Sequence, residues 1–87
     1  MKFFFSMKIS ELHNIFKQFP KVITDSRNVF KDSLFFALKG ENFNGNEYAN
    51  DAIKKGCKYA IIDEVKYNLN ENYILVDNVL ETLQQLA

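Results

Sequence analysis

The 87-residue chain has one cysteine, one histidine, one proline, no surplus of either charge and no long apolar run. With no second cysteine, Cys57 cannot form an internal disulfide, which points to a reducing compartment and hence to the cytoplasm. One histidine and one cysteine fall short of the familiar structural zinc patterns. Eleven basic residues balance eleven acidic ones, so there is no electrostatic footprint for DNA, RNA or an anionic membrane. That balance still leaves room for one local anion site. No stretch approaches the roughly 20 apolar residues of a membrane-spanning helix, so no membrane insertion is expected. Met1-Lys2-Phe3-Phe4-Phe5 begins like a secretory signal. The apolar run stops at Ser6, however, short of the roughly 7–15 residues that such a signal needs. Met7 offers a second start, and residues 1–6 read as an N-terminal extension.

What is present is a core. Apolar residues make up 47% of the chain, with nine Phe and four Tyr, too many for a disordered segment and enough for a single domain. Ser10 suits the cap of a first helix in which Leu12, Ile15, Phe16 and Phe19 recur at helical spacing, and Pro20 ends it. Val22-Ile23-Thr24 is β-prone and runs into the turn-forming Asp25-Ser26-Arg27-Asn28. A second turn at Lys31-Asp32-Ser33 precedes the run at residues 34–38, whose nearly unbroken apolarity fits a strand covered on both faces. A helix over roughly residues 46–55 follows, with Tyr48, Ala49, Ala52 and Ile53 facing inward and Gly56 as its C-terminal cap. Residues 59–62 and 73–76 form two further strands around a polar stretch. Asp77 then caps a last helix carrying Val79, Leu80, Leu83 and Leu86 on one side. That helix shows none of the usual stop signals before Ala87, which reads as a cut inside a longer protein. The expected fold is α/β, a small mixed and partly parallel sheet flanked by about three helices.

Two strand-to-loop junctions carry the functional signal, because open α/β sheets bind ligands beyond the carboxyl ends of their strands. In the first, Thr24-Asp25-Ser26-Arg27 combines a hydroxyl, a guanidinium and turn amides suited to an anion, although the same residues can make a self-contained turn. In the second, Gly40-Glu41-Asn42-Phe43-Asn44-Gly45-Asn46-Glu47 has the glycine spacing of a phosphate-binding loop. Asn46 replaces its lysine and Glu47 its Mg²⁺-binding hydroxyl, which excludes nucleoside triphosphate binding there. Asn42 and Asn44 match the imide edge of a pyrimidine, and Phe43 suits either a ring face or a plug in the core. The remaining candidates read as structural. His13 is solvated, Cys57 is a small buried residue, and Asp63-Glu64 is a solvated loop start whose side chains point apart.

Taken in order, several segments resemble the N-terminal domain of the Mur ligases. They are Thr24-Asp25-Ser26-Arg27, Asp32-Ser33-Leu34-Phe35-Phe36-Ala37-Leu38, Lys39-Gly40-Glu41, Asn44-Gly45, Ala52-Ile53-Lys54-Lys55-Gly56 and Ile74-Leu75-Val76-Asp77-Asn78. The likeness covers residues 7–87. It implies a domain that holds the UDP part of a UDP-N-acetylmuramoyl-tripeptide substrate, with Thr24 and Ser26 at the uridine-diphosphate site. Arg27 matches the pattern and suits either a phosphate or a salt bridge, while Glu41, Asn42 and Phe43 match the loop around the uracil. The resemblance is nearest to the ligase that adds D-alanyl-D-alanine, with the preceding ligase, which adds the third peptide residue, as the alternative. A non-enzymatic α/β interaction module is a further alternative. No Gly-x-Gly-Lys-Thr-type segment is present, so ATP and Mg²⁺ are expected to bind central and C-terminal domains that this chain lacks. The resemblance thus implies no cofactor, no catalytic residue and no metal ligand in the chain itself, which alone should be inactive.

Overall fold

A computed structural model describes residues 9–86. The expectations about residues 1–6, the Met7 start and the chain end at Ala87 lie outside them. Four short strands, β1 (Val22–Ile23), β2 (Leu34–Phe36), β5 (Tyr59–Ile62) and β6 (Tyr73–Leu75), form a parallel sheet in the order β1-β2-β5-β6. The mixed character expected of the sheet comes from a separate two-stranded antiparallel hairpin, β3 (Lys39–Gly40) and β4 (Phe43–Asn44). Three helices complete the chain: α1 (Ile9–Gln18), α2 (Ala49–Lys54) and α3 (Val79–Leu86).

Strand alternation sends successive side chains to opposite faces, so a sheet covered on both sides has two cores. On one side, Phe35, Ala37, Ala60, Ile62 and Leu75 pack with Ala49 and Ala52 of α2. On the other, Leu34, Phe36, Ile61 and Ile74 pack with Leu12 of α1 and with Val79 and Leu86 of α3. Phe35, Phe36, Ile61 and Ile62 are all 0% exposed, as expected for the two central strands.

Four helix details differ from the expectation. Ser10 lies within the first turn of α1 and is not its cap, because the helix already begins at Ile9. Residues 45–48 form a 3₁₀ turn, capped by the Asn44 side chain, before α2 begins at Ala49. That turn rotates Tyr48 out to solvent. The cap of α3 is Asn78, whose Oδ1 accepts the Glu81 N–H at 2.9 Å, while Asp77 is exposed. Leu80 is exposed as well, because it lies about 100° round from the inward stripe of buried Val79, Thr82 and Leu86 and half-buried Leu83. Gly56 does end α2 with a positive φ of 126°, and Asp32, at φ 61°, makes the preceding turn.

Candidate functional site

Because the four strands of the sheet are parallel, the segments that follow them gather at one edge. The turn after β1 is held by its own side chains. Asp25 Oδ1 accepts the Arg27 backbone N–H at 2.9 Å, and its carboxylate takes the guanidinium through Nε at 3.0 Å and Nη2 at 2.9 Å. These bonds, first the side-chain and then the backbone one, lower the Asp25 carboxyl to about 2, and the side-chain bond and charge of Asp25 raise the Arg27 guanidinium. Lys55 reaches this turn from beyond the end of α2, donating to the Ser26 carbonyl at 3.1 Å while paired with Asp51 at 3.2 Å. Ser26 is buried, whereas Thr24 and Arg27 are exposed.

The second segment leaves β2 at Ala37 and Leu38 and folds into the β3–β4 hairpin. Its return is fixed at Gly45, whose N–H donates to the Leu38 carbonyl at 2.7 Å. A Cβ on Gly45 would lie 2.6 Å from that same oxygen, so the two backbones approach as closely as they do because residue 45 is glycine. Glu41 and Asn42 form the exposed two-residue turn. Phe43 faces outward and stacks on Tyr48, with ring centroids 5.4 Å apart and planes within 11°. Of the two readings of Phe43, the core plug is therefore excluded, since the ring is 45% exposed.

The third segment, after β5, overturns the reading of Asp63-Glu64 as a solvated loop start. The two carboxylates, expected to point apart, both come within reach of the Lys39 ammonium. Its Nζ is 3.5 Å from Asp63 Oδ1 and 2.8 Å from Glu64 Oε2. Lys39, and then Asn44, hold the Glu64 carboxyl below its usual range, and Glu64 in turn raises the Lys39 ammonium. Asp63 also accepts the Val79 N–H at the start of α3 and the Asn46 side-chain amide. Asn46 is 0% exposed, and its amide bonds Asn44 Oδ1, Asp63 Oδ1 and the Asp63 N–H. The residue at the lysine position of a phosphate loop is thus a buried structural amide, and triphosphate binding at this loop is excluded on geometry as well. Asn44 is drawn into the fold too: its amide donates to Glu64 Oε2 at 2.8 Å and its Oδ1 accepts both the backbone N–H and the side-chain amide of Asn46.

The edge of the sheet carries a cleft of about 530 Å³ lined by Thr24, Asp25, Ser26, Arg27, Phe43 and Tyr48. The structure therefore brings Thr24, Ser26, Arg27 and Phe43 together in the lining of one cleft. Glu41 and Asn42 lie elsewhere, on a shallower depression of about 350 Å³ on the hairpin, shared with Phe43, Tyr48 and Glu64. Sequence reading missed Tyr48, because it assigned that residue to an inward helical stripe. It also missed Lys55, whose contact with Ser26 spans 29 positions. His13 is exposed and Cys57 buried, as expected, with burial pushing the thiol up. Among the described residues no group of three or more His, Cys, Asp or Glu could hold a metal, and no helix is long and apolar enough to cross a membrane.

Comparison with known proteins matches residues 20–87 to the model of the Mur ligase family, catalytic domain. The chain is similar to the UDP-N-acetylmuramoyl-tripeptide–D-alanyl-D-alanine ligase of Bacillus subtilis, with 41% identity covering 76% of this chain. It is also similar to the UDP-N-acetylmuramoyl-L-alanyl-D-glutamate–2,6-diaminopimelate ligase of Rickettsia typhi, with 34% identity covering 85% of this chain. The chain spans about 15% of the length of either relative. Among solved structures it superposes on the MurF ligase of Thermotoga maritima in complex with ADP. That match has a TM-score of 0.70 at 26% identity, over 76% of this chain and 15% of that one. MurF from Acinetobacter baumannii gives a TM-score of 0.66 at 27% identity, over 78% of this chain and 15% of that one.

Proposed function

Since the chain belongs to the Mur ligase family, we propose that it is the UDP-anchoring domain of the ATP-dependent ligase that adds D-alanyl-D-alanine to UDP-N-acetylmuramoyl-tripeptide in peptidoglycan synthesis. The observation that carries this reading is the cleft itself. It joins a polar turn (Thr24, Ser26, Arg27) to an exposed aromatic pair (Phe43, Tyr48), one end suited to a diphosphate and the other to a flat base. Arg27 is held in bidentate contact with Asp25 and is 84% exposed, so its remaining donors face solvent at the cleft. Thr24 and Ser26 would contribute hydroxyls, and Glu41 and Asn42, on the adjoining depression that shares Phe43 and Tyr48 with the cleft, would contact the part of the uracil that reaches past the aromatic pair. The chain would anchor and orient substrate, turning remote binding energy into alignment at the reacting carboxylate. ATP and Mg²⁺ would activate that carboxylate on domains outside this chain, because the residues at its own glycine loop do not fit a triphosphate. The setting would be the cytoplasm.

The diaminopimelate-adding ligases among the relatives support a second reading, the N-terminal domain of the preceding enzyme. Calorimetric titration of the 87-residue chain tests the shared core of both. Saturable heat with UDP-N-acetylmuramoyl-tripeptide, and none with ATP or D-alanyl-D-alanine, is expected. Binding of ATP with equal strength, or no heat at millimolar UDP-sugar peptide, would contradict it. The longer ligase carrying this domain, assayed with D-alanyl-D-alanine and with diaminopimelate, separates the two readings.

A further inference from the structure

A hairpin with two residues per strand is marginal by itself, so something outside it must set where Phe43 stands. Its inner end is fixed by the bond between Gly45 and Leu38. The next rung outward is the Lys39–Asn44 pair, and both of its side chains converge on one atom. Lys39 Nζ and the Asn44 side-chain amide each lie 2.8 Å from Glu64 Oε2. One carboxylate oxygen thus spans both strands of the hairpin from outside it. Asp63 reinforces the same rung, facing Lys39 directly and Asn44 through the buried Asn46. The rung after that is Gly40–Phe43, which carries the aromatic wall of the cleft. Glu64 lies on the hairpin's other depression and does not line the 530 Å³ cleft, so it acts through the hairpin.

We propose that Glu64 is a positioning residue, a clamp across the base of the β3–β4 hairpin that sets Phe43 and Tyr48 opposite the 24–27 turn. Its consequence for affinity rests on the functional reading above, whereas its effect on the hairpin does not. NMR spectroscopy of the 87-residue chain, with and without UDP-N-acetylmuramoyl-tripeptide, tests both. In Glu64→Ala the Phe43–Tyr48 ring contacts should weaken and the amides of residues 40–44 should shift, while those of Phe35 and Ile61 stay in place. Affinity should fall about tenfold, the scale of hydrogen bonds to a charged group. Glu64→Gln keeps an acceptor for Asn44 but loses the charge facing Lys39, and should fall about two- to threefold. Should Glu64→Ala fail to fold, Glu64→Gln and Lys39→Met, singly and combined, decide by their coupling: less-than-additive losses uphold the clamp and strict additivity overturns it. Unchanged ring contacts and unchanged affinity in Glu64→Ala would also overturn it. If the parent chain binds no UDP ligand, the functional reading fails, and the hairpin signals alone still decide the clamp.

Discussion

At Ser26 the backbone serves the fold, and the side chain is proposed to serve a ligand. Its carbonyl is taken by Lys55, a bond that alanine would keep, while the residue lines the cleft. Ser26→Ala is therefore expected to weaken UDP-sugar binding about five- to tenfold, with stability within roughly 0.5 kcal/mol, both read by titration and denaturant melts. Gly45 is the opposite case, wholly structural. An added methyl would meet the Ala37 and Leu38 backbone at 2.6–2.8 Å, so Gly45→Ala should cost about 2–3 kcal/mol in a urea melt. Asp25 makes a prediction about pH. Its carboxyl falls from 3.8 to about 2 in the fold, so what the Asp25–Arg27 contact adds is fully present above about pH 4 and is lost as pH falls toward 2. The Ser26 and Arg27 amide shifts should stay flat from about pH 8 to 5 and move only below about 4. A midpoint near 4 would mean that the contact is not formed in solution.

The elements differ in how far they could be read from sequence, and the reason is the range of the interactions that define them. Strands at residues 34–36, 59–62 and 73–75 were legible because an apolar run covered on both faces needs no partner to be recognised. The hairpin was not legible. Lys39-Gly40 and Phe43-Asn44 carry no strand pattern, and what holds them is Glu64, 20 and more positions away. Asp63-Glu64 was misread for the same reason, since adjacency in sequence says nothing about a lysine folded across both. Phe43 was left between two roles because its neighbour Tyr48 was placed on the wrong face. The hairpin now predicts its own test. With Phe43 45% exposed and its ring stacked on that of another exposed residue, Phe43→Ala should change stability by less than about 1 kcal/mol. The same change should weaken UDP-sugar binding about tenfold, the scale of base–aromatic stacking.

At the scale of the molecule, a three-layer α/β sandwich presents its chemistry at one end. Parallel strands send the 24–27 turn, the hairpin and the Asp63-Glu64 corner to the same edge, and an apolar layer packs on each face of the sheet. Composition and periodicity indicated this architecture, and membership of the Mur ligase family accounts for the order of its motifs. The cleft's aromatic wall and its polar brace depended on contacts between distant residues and emerged only with the structure. This edge is the proposed UDP site. The most direct measurement is a ¹⁵N NMR titration of the 87-residue chain with UDP-N-acetylmuramoyl-tripeptide, with ATP as the control. Saturable shifts concentrated at residues 24–27 and 40–48, and absent with ATP, are the predicted result. Shifts at the opposite end of the sheet, or equal shifts with ATP, would contradict the account.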